Sequence, residues 1–467
     1  MDPREDGRTH GTIENADAEE VYGLLPSFVQ DVREALDAED DGRVRLLVEP
    51  LHYADQADLI EVLGREERRA LLKALKENLN PEILPELDDY VLEDAIEIMG
   101  HGDLPSVLEN LESDDVVYIV DQLDEEKQKL VVAGLPQDLQ ATVEAGLALP
   151  EYSAGRIMQR ELVAVPNYWT VGETIDYLRT NVRLPEEFYY LFVVDPRHRP
   201  LGHVALSMLL RNQRNVRLRD IMEAEIDIIS ATADQEEVAL LFKNKDLLSA
   251  PVVDISGRLV GRITVDDIID VIDEEAEDDM LRLAGLAEVD LFRAVFDTVK
   301  ARASWLMVNL VTAVLASLVI GLFEDTLQSI VALAVLMPIV ASMGGNAGTQ
   351  TLTVAVRSLA TKELSPANAW RILGKEILVG LANGLTFAVL VGIVAYVWFG
   401  EPKIGFVIAV AMVINHLFAG LFGIAIPLTL DRLKIDPAIA SSVFLTTVTD
   451  VVGFFAFLGL AALFLVG

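Results

Sequence analysis

The chain ends in a stretch of apolar and small residues, Ile439 to Val466, that carries a single charge, Asp450. About 20 apolar residues span a hydrocarbon core of ~30 Å, so this stretch predicts a membrane helix; Asp436 and Pro437 suit its N-cap and first position. Asp450 stands roughly 16 Å along that helix, near mid-membrane. A carboxylate there costs about 2.5–3.5 kcal/mol and usually faces a water-filled cavity. This favours an ion path; a carboxylate held between helices for structural reasons is the alternative.

Four further apolar stretches predict four more membrane helices. Lys and Arg gather in the loops before the first stretch, between the second and third, and after the fourth. The positive-inside rule assigns those loops to the cytoplasm. We therefore expect a multi-pass protein of the cell membrane, with cytoplasmic N-terminal domains and its C-terminus outside. The predicted spans are Ser304–Phe323, Leu327–Val356 (partly irregular), Gly374–Phe399, Lys403–Leu430 and Ile439–Val466.

Charge is distributed unevenly along the chain. Residues 1–300 hold 66 acidic and 29 basic side chains, whereas residues 301–467 hold 8 of each. The acidic part argues against nucleic acid as a partner, because phosphate contacts need Lys and Arg. It favours cations as partners, or a surface adapted to high salt. The lack of Cys excludes disulfides and thiolate metal sites.

The first 150 residues divide into a polar beginning and a helical domain. Residues 1–20 are acidic, lack the apolar core of a signal peptide and are predicted to be disordered. In residues 21–150, leucines recur at three- and four-residue steps between short turns, as in amphipathic helices. The sequence therefore predicts an all-α superhelical stack. Core packing alone and a partner-binding surface both explain the leucine pattern.

Residues 151–275 contain an internal repeat. The segment FVVDPRHRPLGHVALSMLL, from Phe192, matches PVVDISGRLVGRITVDDII, from Pro251, at a constant offset of 59 residues. Each unit reads as a strand, a helix, two strands joined by a polar turn, and a helix. The pair resembles tandem CBS domains, α/β modules that often bind adenine nucleotides.

The CBS resemblance implies a nucleotide such as ATP as a possible ligand. It points to Tyr190, Thr264 and Asp267 as the contacts. The first repeat departs from the pattern, because Ala205 and Met208 stand where the second has Thr264 and Asp267.

A dense acidic run follows the second repeat. Val265 to Met280 holds nine acids among sixteen residues and no base. On a helix, like charges four residues apart destabilise by about 0.2–0.5 kcal/mol per pair. Hard divalent cations with oxygen ligands would relieve this repulsion. We favour a cation-sensing cluster; a solvated acidic face is the alternative.

Residues 276–303 are predicted to connect the soluble and membrane parts. Within them, Leu291 to Lys300 forms an amphipathic helix that could run along the membrane surface. A connector that transmits motion and a passive anchor are equally compatible with the pattern. Its apolar face comprises Phe292, Val295, Phe296 and Val299.

The second span contains the motif PIVASMGGNAGTQ, from Pro338 to Gln350. Its proline removes a backbone donor and its three glycines permit close approach of another backbone or an ion. Irregular backbone at this depth is tolerated only where it is buried or lines a cavity. Small-residue helix packing is the alternative. Either reading implies a close interface with another span, such as that of Asp450; Asn415 and His416 in the fourth span are expected to form an interhelical hydrogen bond.

The order of these parts resembles the MgtE family of magnesium channels, which implies a multidomain fold: an all-α N-domain, α/β tandem CBS domains and an all-α transmembrane domain over 304–467. Members are homodimers whose pore lies on the two-fold axis between second and fifth spans. The resemblance implies that Asp450 binds hydrated Mg²⁺, with Thr446 one turn earlier. It assigns the other pore positions to Gly344, Gly345, Asn346, Gly348 and Gln350.

The resemblance also implies closure of the pore by cytoplasmic Mg²⁺ that bridges the acidic domains. Tyr118 stands at one position that is acidic in the family's N-domain. The matching regulatory carboxylates are Glu82, Asp114, Asp234, Glu236, Asp246, Asp267, Asp270, Glu275, Asp278 and Asp279.

Two other functions compete with a Mg²⁺ channel. A cation-coupled carrier of Mg²⁺ or Co²⁺ also needs an intramembrane carboxylate. A membrane-anchored nucleotide sensor would use its spans only to dimerise. Enzymatic activity is not expected, because the sequence shows no Gly-rich phosphate loop, metal-ligating His pair or nucleophile–base pairing.

Overall fold

The computed structural model describes residues 24–75, 78–100, 102–182, 184–185, 187–286, 295–365 and 367–466. The chain forms two compact units, Met1–Ile272 and Asp273–Gly467. The segment 1–20, predicted to be disordered, lies outside the described residues.

The first unit begins with short helices, as predicted. Acidic caps start two of them: Asp40 accepts a hydrogen bond from the Arg43 amide, and Asp124 from that of Lys127. Their leucines and valines share one core. The helices are α1 Pro26–Asp37, α2 Asp41–Val48, α3 Tyr53–Val62, α4 Arg65–Leu75, α5 Asp89–Met99, α6 Leu104–Leu108, α7 Ser113–Asp121, α8 Glu125–Gly134 and α9 Gln137–Leu147, with a 3₁₀ turn at Pro81–Ile83.

The internal repeat folds as two three-stranded sheets. In each, the first pair of strands is parallel and the second antiparallel. Val193 pairs with Gly202 and Val252 with Gly261, so the 59-residue offset is confirmed down to the register. The elements are β1 Ala164–Pro166, α10 Val171–Thr180, β2 Tyr190–Val194, β3 Pro200–Ala205, α11 Leu206–Arg211, β4 Ile229–Ser230, α12 Gln235–Lys245, β5 Ser249–Val253, β6 Leu259–Thr264 and α13 Val265–Ala284.

Five helices among the described residues are long and apolar enough to cross a membrane, which confirms the predicted all-α membrane domain. Asp436 caps the last of them and Pro437 is its first residue, as predicted. The helices are α14 Val295–Gly321, α15 Glu324–Ser329, α16 Ala332–Ala360, α17 Ala369–Phe399, α18 Pro402–Arg432 and α19 Pro437–Ala461, with a π-helical turn at Ala462–Val466.

The prediction of irregular backbone at the motif of the second span is wrong, although the predicted range Leu327–Val356 is interrupted at 330–331, between α15 and α16. α16 is one continuous helix that contains Pro338 and the three glycines of the motif. A proline removes a single backbone donor. Without water in the hydrocarbon region, the remaining backbone groups have no alternative partner to the helical bonds.

The predicted connecting helix over 276–303 is only partly visible, because residues 287–294, Phe292 among them, lie outside the described residues. Its described ends belong to two helices. Residues 276–284 finish α13, and residues 295–303 begin α14, the first membrane helix.

Candidate functional site

Asp450 is half-buried on α19, one turn after Thr446. The Thr446 hydroxyl is used locally and donates to the Ser442 carbonyl at 3.0 Å. Among the residues that the structure describes, none donates a hydrogen bond to the Asp450 carboxylate or forms an ion pair with it. A carboxylate at membrane depth without a protein partner is left for water, an ion or a second chain.

Two glycines of the motif face neighbouring helices. A Cβ on Gly344 would lie 2.2 Å from Nδ2 of Asn415 on α18, and one on Gly348 would lie 3.0 Å from Leu445 on α19. The Asn415 amide donates to the Val340 carbonyl of α16 at 2.9 Å, which confirms the expected interhelical bond. His416 bonds within its own helix instead, to the Met412 carbonyl. Gly344 and Gly348 thus fit small-residue packing.

The opposite face of α16 is polar and exposed. It also contains Gly345, where an added Cβ would meet no described heavy atom within 4 Å. Polar side chains are unfavourable against lipid, so such a face of a membrane helix needs water or protein beside it. The exposed polar residues are Ser342, Asn346, Thr349, Gln350 and Thr353.

Gln350 also borders a cavity of about 170 Å³ between α16, α17 and α18. Its other polar lining residues are Thr351, Glu376, Asn383 and His416. Glu376 is buried, with its carboxylate 3.5 Å from the Lys375 ammonium. Sequence reasoning missed it, although an acid three residues into a predicted span was a usable signal.

In the first unit, two predicted regulatory carboxylates come together. Asp114, at the start of α7, is buried, and its Oδ1 has no partner among the described residues. Burial, then repulsion from Asp267 at the start of α13, raises its pKa well above the ordinary value. Burial also raises the pKa of Asp115 to about 8, aided by Glu82, and that of Glu112 to about 7.

The predicted nucleotide contacts are only partly close to one another. Asp267 accepts hydrogen bonds from the amide and hydroxyl of Thr264, at 3.0 and 2.6 Å, and from Gln159 at 3.2 Å. Burial raises the pKa of Asp267 to about 6, although the two hydrogen bonds from Thr264 oppose the shift. Tyr190 lies on β2 of the other sheet, with its ring 4.2 Å from that of His203.

A second acidic cluster lies at the end of α13 in the second unit. Arg282 contacts Asp278 at 2.7 Å and Asp436 at 2.6 Å. Burial raises the pKa of Asp279 to about 6, and repulsion from Asp436 and Glu275 adds to this. The cluster places Asp278 and Asp279, two predicted regulatory residues, beside Asp436, the cap of the Asp450 helix.

The remaining predicted regulatory residues are more scattered. Asp234 and Glu236 lie at the first turn of α12, whereas Asp246 caps its last turn in a left-handed conformation. Asp270 lies on α13, near Glu86. Burial raises the pKa of Glu86, and repulsion from Asp270 raises it further. Tyr118 donates to Asp89 at 2.8 Å. Within the described ranges, no three carboxylate or imidazole groups converge as a preformed metal site.

Acidic soluble domains precede five described helices that are long and apolar enough to cross a membrane. One of these helices carries a carboxylate, Asp450, that has no protein partner among the described residues, and these features are typical of a multi-pass cation-transport protein. Three family models match the chain: a divalent cation transporter over residues 337–460, the MgtE intracellular N domain over 51–152 and a CBS domain over 218–274. The chain belongs to the MgtE family of magnesium transporters.

Its relatives include two bacterial proteins named magnesium transporter MgtE. That of Bacillus subtilis is 33% identical over 317 residues, and that of Thermus thermophilus 37% identical over 318; each match covers 68% of this chain and 70% of the relative.

Two solved structures also match the soluble part. The soluble part of a magnesium transporter is 26% identical, with a TM-score of 0.46, over 54% of this chain and 98% of that chain. The cytosolic domain of the Mg²⁺ channel MgtE in complex with ATP is 32% identical, with a TM-score of 0.49, over 52% of this chain and 99% of that chain.

Proposed function

We propose that two copies of this chain form a Mg²⁺ pore on their two-fold axis, with Asp450 of each copy facing the ion. The observation that carries this proposal is that the Asp450 carboxylate has no hydrogen-bond or ion-pair partner among the residues that the structure describes. The exposed polar face of α16 supports the same proposal. A second copy of the chain, with a water-filled path between the copies, would cover both this face and the Asp450 carboxylate. In this arrangement the C-terminus lies outside the cell.

The chemistry of Mg²⁺ suits such a path. The ion keeps an octahedral water shell and dehydrates reluctantly. Carboxylates and amides can accept hydrogen bonds from that shell without displacing it. Two copies of Asp450 would form a small acidic ring, which selects cations. Asn346 and Gln350 supply amide oxygens on the exposed face, and backbone approach is available at Gly345.

We further propose that cytoplasmic Mg²⁺ bound by the predicted regulatory carboxylates closes the pore. The crowding of Asp114 with Asp267, and of Asp279 with Asp436, supports this role. Without cations, such groups repel or take up protons. A bound divalent ion offsets the repulsion and draws the acidic surfaces together. The scattered positions suit water-mediated binding, since Mg²⁺ usually keeps several waters.

Nucleotide binding between the repeats is a secondary proposal. Three buried polar atoms near Thr264 lack partners among the described residues: Oε1 of Gln159, Oγ of Ser249 and Nε of Arg262. Such atoms are costly unless a ligand or water satisfies them. ATP fits the ligand class of these modules, and the related cytosolic domain noted above was solved with it.

Mg²⁺ uptake into vesicles that contain the purified protein tests the main proposal. The parent should take up Mg²⁺, and Asp450→Asn should abolish uptake, because the acidic ring loses its charge. Asp325→Asn, which removes an exposed carboxylate of the same domain, should leave uptake unchanged. Full uptake by Asp450→Asn would overturn the pore, and a membrane-anchored sensor would become the better reading.

A cation-coupled carrier is the second candidate, favoured by the buried carboxylate of Glu376. Single-channel recording separates the two candidates. Unitary currents that correspond to more ions per second than a carrier can turn over would establish a channel. Uptake that stops when a proton or Na⁺ gradient is removed, without unitary currents, would establish a carrier.

A further inference from the structure

A single amide side chain from α18 lies between the two helices that carry the proposed pore. Asn415 is fully buried. A Cβ on Gly344 of α16 would lie 2.2 Å from its Nδ2, and a Cβ on Gly453 of α19 would lie 2.7 Å from the same atom. Both glycines are therefore needed to admit the amide.

The position of the amide is fixed from several sides. Nδ2 donates to the Val340 carbonyl at 2.9 Å. That carbonyl also accepts the helical bond from the amide of Gly344, four residues later. A Cβ on Gly453 would further lie 3.2 Å from the Val340 side chain, so Asn415 has little room to turn aside.

Packing alone does not explain an amide at this position. Oδ1 of Asn415 has no hydrogen-bond partner among the described residues. A buried polar atom without a partner costs free energy, whereas a leucine of similar size would fill the same space without that cost. What the amide adds is a directional bond that ties α18 to one carbonyl of α16.

We propose that Asn415 is a positioning residue that sets the separation of α16 and α19 beside Asp450, and thereby the width of the ion path. Gly453 lies one turn after Asp450, so displacing this part of α19 moves the carboxylate. The inference rests on the proposed pore. It adds that ion selection depends on a third helix whose residue does not touch the ion.

Compensating substitutions test the inference. Gly453→Ala should lower Mg²⁺ uptake roughly tenfold or more, because an overpacked helix contact must separate. Adding Asn415→Ala to Gly453→Ala should restore much of the lost uptake by making room for the methyl group, but not the parent's ratio of Mg²⁺ to Co²⁺ uptake, because the bond to the Val340 carbonyl is lost. The control is Gly374→Ala on α17, where the added Cβ meets no described atom within 4 Å; it should leave uptake unchanged.

A selectivity measurement separates positioning from a merely structural role. In vesicles with equal amounts of intact protein, Asn415→Leu should change the ratio of Mg²⁺ to Co²⁺ uptake at least about threefold. Asn415→Ser, which keeps a short hydrogen-bonding group, should change it less. No rescue in the double variant together with an unchanged ratio would overturn the inference. Absent Mg²⁺ uptake by the parent would instead refute the proposed pore.

Discussion

The two parts of this molecule hold their carboxylates in opposite ways. In the first unit, Asp114 and Asp267 crowd together at the starts of α7 and α13, with Glu112 and Asp115 nearby, and burial raises the pKa of all four. In the membrane domain, Asp450 stands apart, without an ion pair or hydrogen bond from the residues described. The fold therefore keeps the cytosolic carboxyls close together despite their mutual repulsion. In the membrane domain, by contrast, the cost of placing Asp450 is the loss of water around its carboxylate.

This contrast indicates that the two sets of carboxylates would interact with a divalent cation differently, one to sense its concentration and the other to conduct it. A crowded set responds steeply to cation concentration, because each bound ion removes several repulsions at once. A single carboxylate in a path must release its ion, since conduction requires binding that is weak enough to permit exit. We therefore expect sensing to be distributed over many residues and conduction to depend on few.

The largest expected effect is on the sensing of cytoplasmic Mg²⁺ by the acidic residues of the soluble part. Asp270→Asn combined with Asp279→Asn should raise the cytoplasmic Mg²⁺ concentration that closes the pore about tenfold or more, because one charge is removed near Glu86 and another from the cluster at the end of α13. Current through membrane patches, at graded Mg²⁺ on the cytoplasmic side, measures this shift.

The matched control removes two exposed charges elsewhere in the soluble part. Asp138→Asn with Glu144→Gln, both on α9, should leave the closing concentration where it is. If the clustered pair closes at the parent's concentration, the acidic run of α13 is only a solvated surface.

An intermediate effect tests whether the polar face of α16 meets water or lipid. Asn346→Leu removes an exposed amide whose Nδ2 donates to Ser342 at 3.3 Å. If this face lines the ion path, Mg²⁺ uptake should fall several-fold. Val335→Leu, an exposed apolar change on the same helix, serves as the control. Undiminished uptake by Asn346→Leu would mean that lipid covers this face.

The smallest expected effect is on stability. Because the folded-state pKa values of Glu112, Asp115 and Asp267 lie above those of the unfolded chain, the folded state binds more protons. Stability is therefore highest below about pH 4 with respect to these groups, and it is lost as pH rises toward about 8. The thermal midpoint of the full-length protein should fall by roughly 2–4 °C between pH 5.5 and 8.

Calorimetry in detergent, with and without Mg²⁺, measures this effect. Mg²⁺ should reverse the fall at pH 8, because a ligand that binds only the folded state stabilises it. Asp114→Asn with Asp267→Asn should show a flatter dependence on pH. A parent midpoint that rises between pH 5.5 and 8 would contradict the crowding of these carboxyls.

Much of the fold followed from local pattern. Hydropathy and length predicted all five membrane helices, and Asp436 with Pro437 predicted where the last begins. The 59-residue offset predicted two equal α/β units, down to the pairing of Val193 with Gly202. Irregular backbone at the motif of the second span was predicted wrongly, because a Pro and three Gly weaken a helix in water more than in a medium that offers no other hydrogen-bond partners.

The site was less accessible to sequence, because its contacts join distant residues. The Gly-Gly-Asn motif was visible in the sequence, but the sequence did not distinguish its two glycines. The Asn415 side chain occupies the space beside Gly344, whereas no described heavy atom lies within 4 Å of a Cβ on Gly345. Glu376 was overlooked although it lies inside the predicted third span, because no sequence pattern indicated that its side chain borders a cavity.

By itself, the sequence determined the partition of the chain: acidic soluble domains, a repeated α/β module, and an electroneutral membrane part with one central carboxylate. Composition and periodicity are local properties, so no fold was needed to read them. Only the tertiary structure decided that Asp114 meets Asp267 and that Asn415 bonds to Val340, 75 residues away. Such contacts arise from the packing of whole helices, and no local pattern records which side chain will face which.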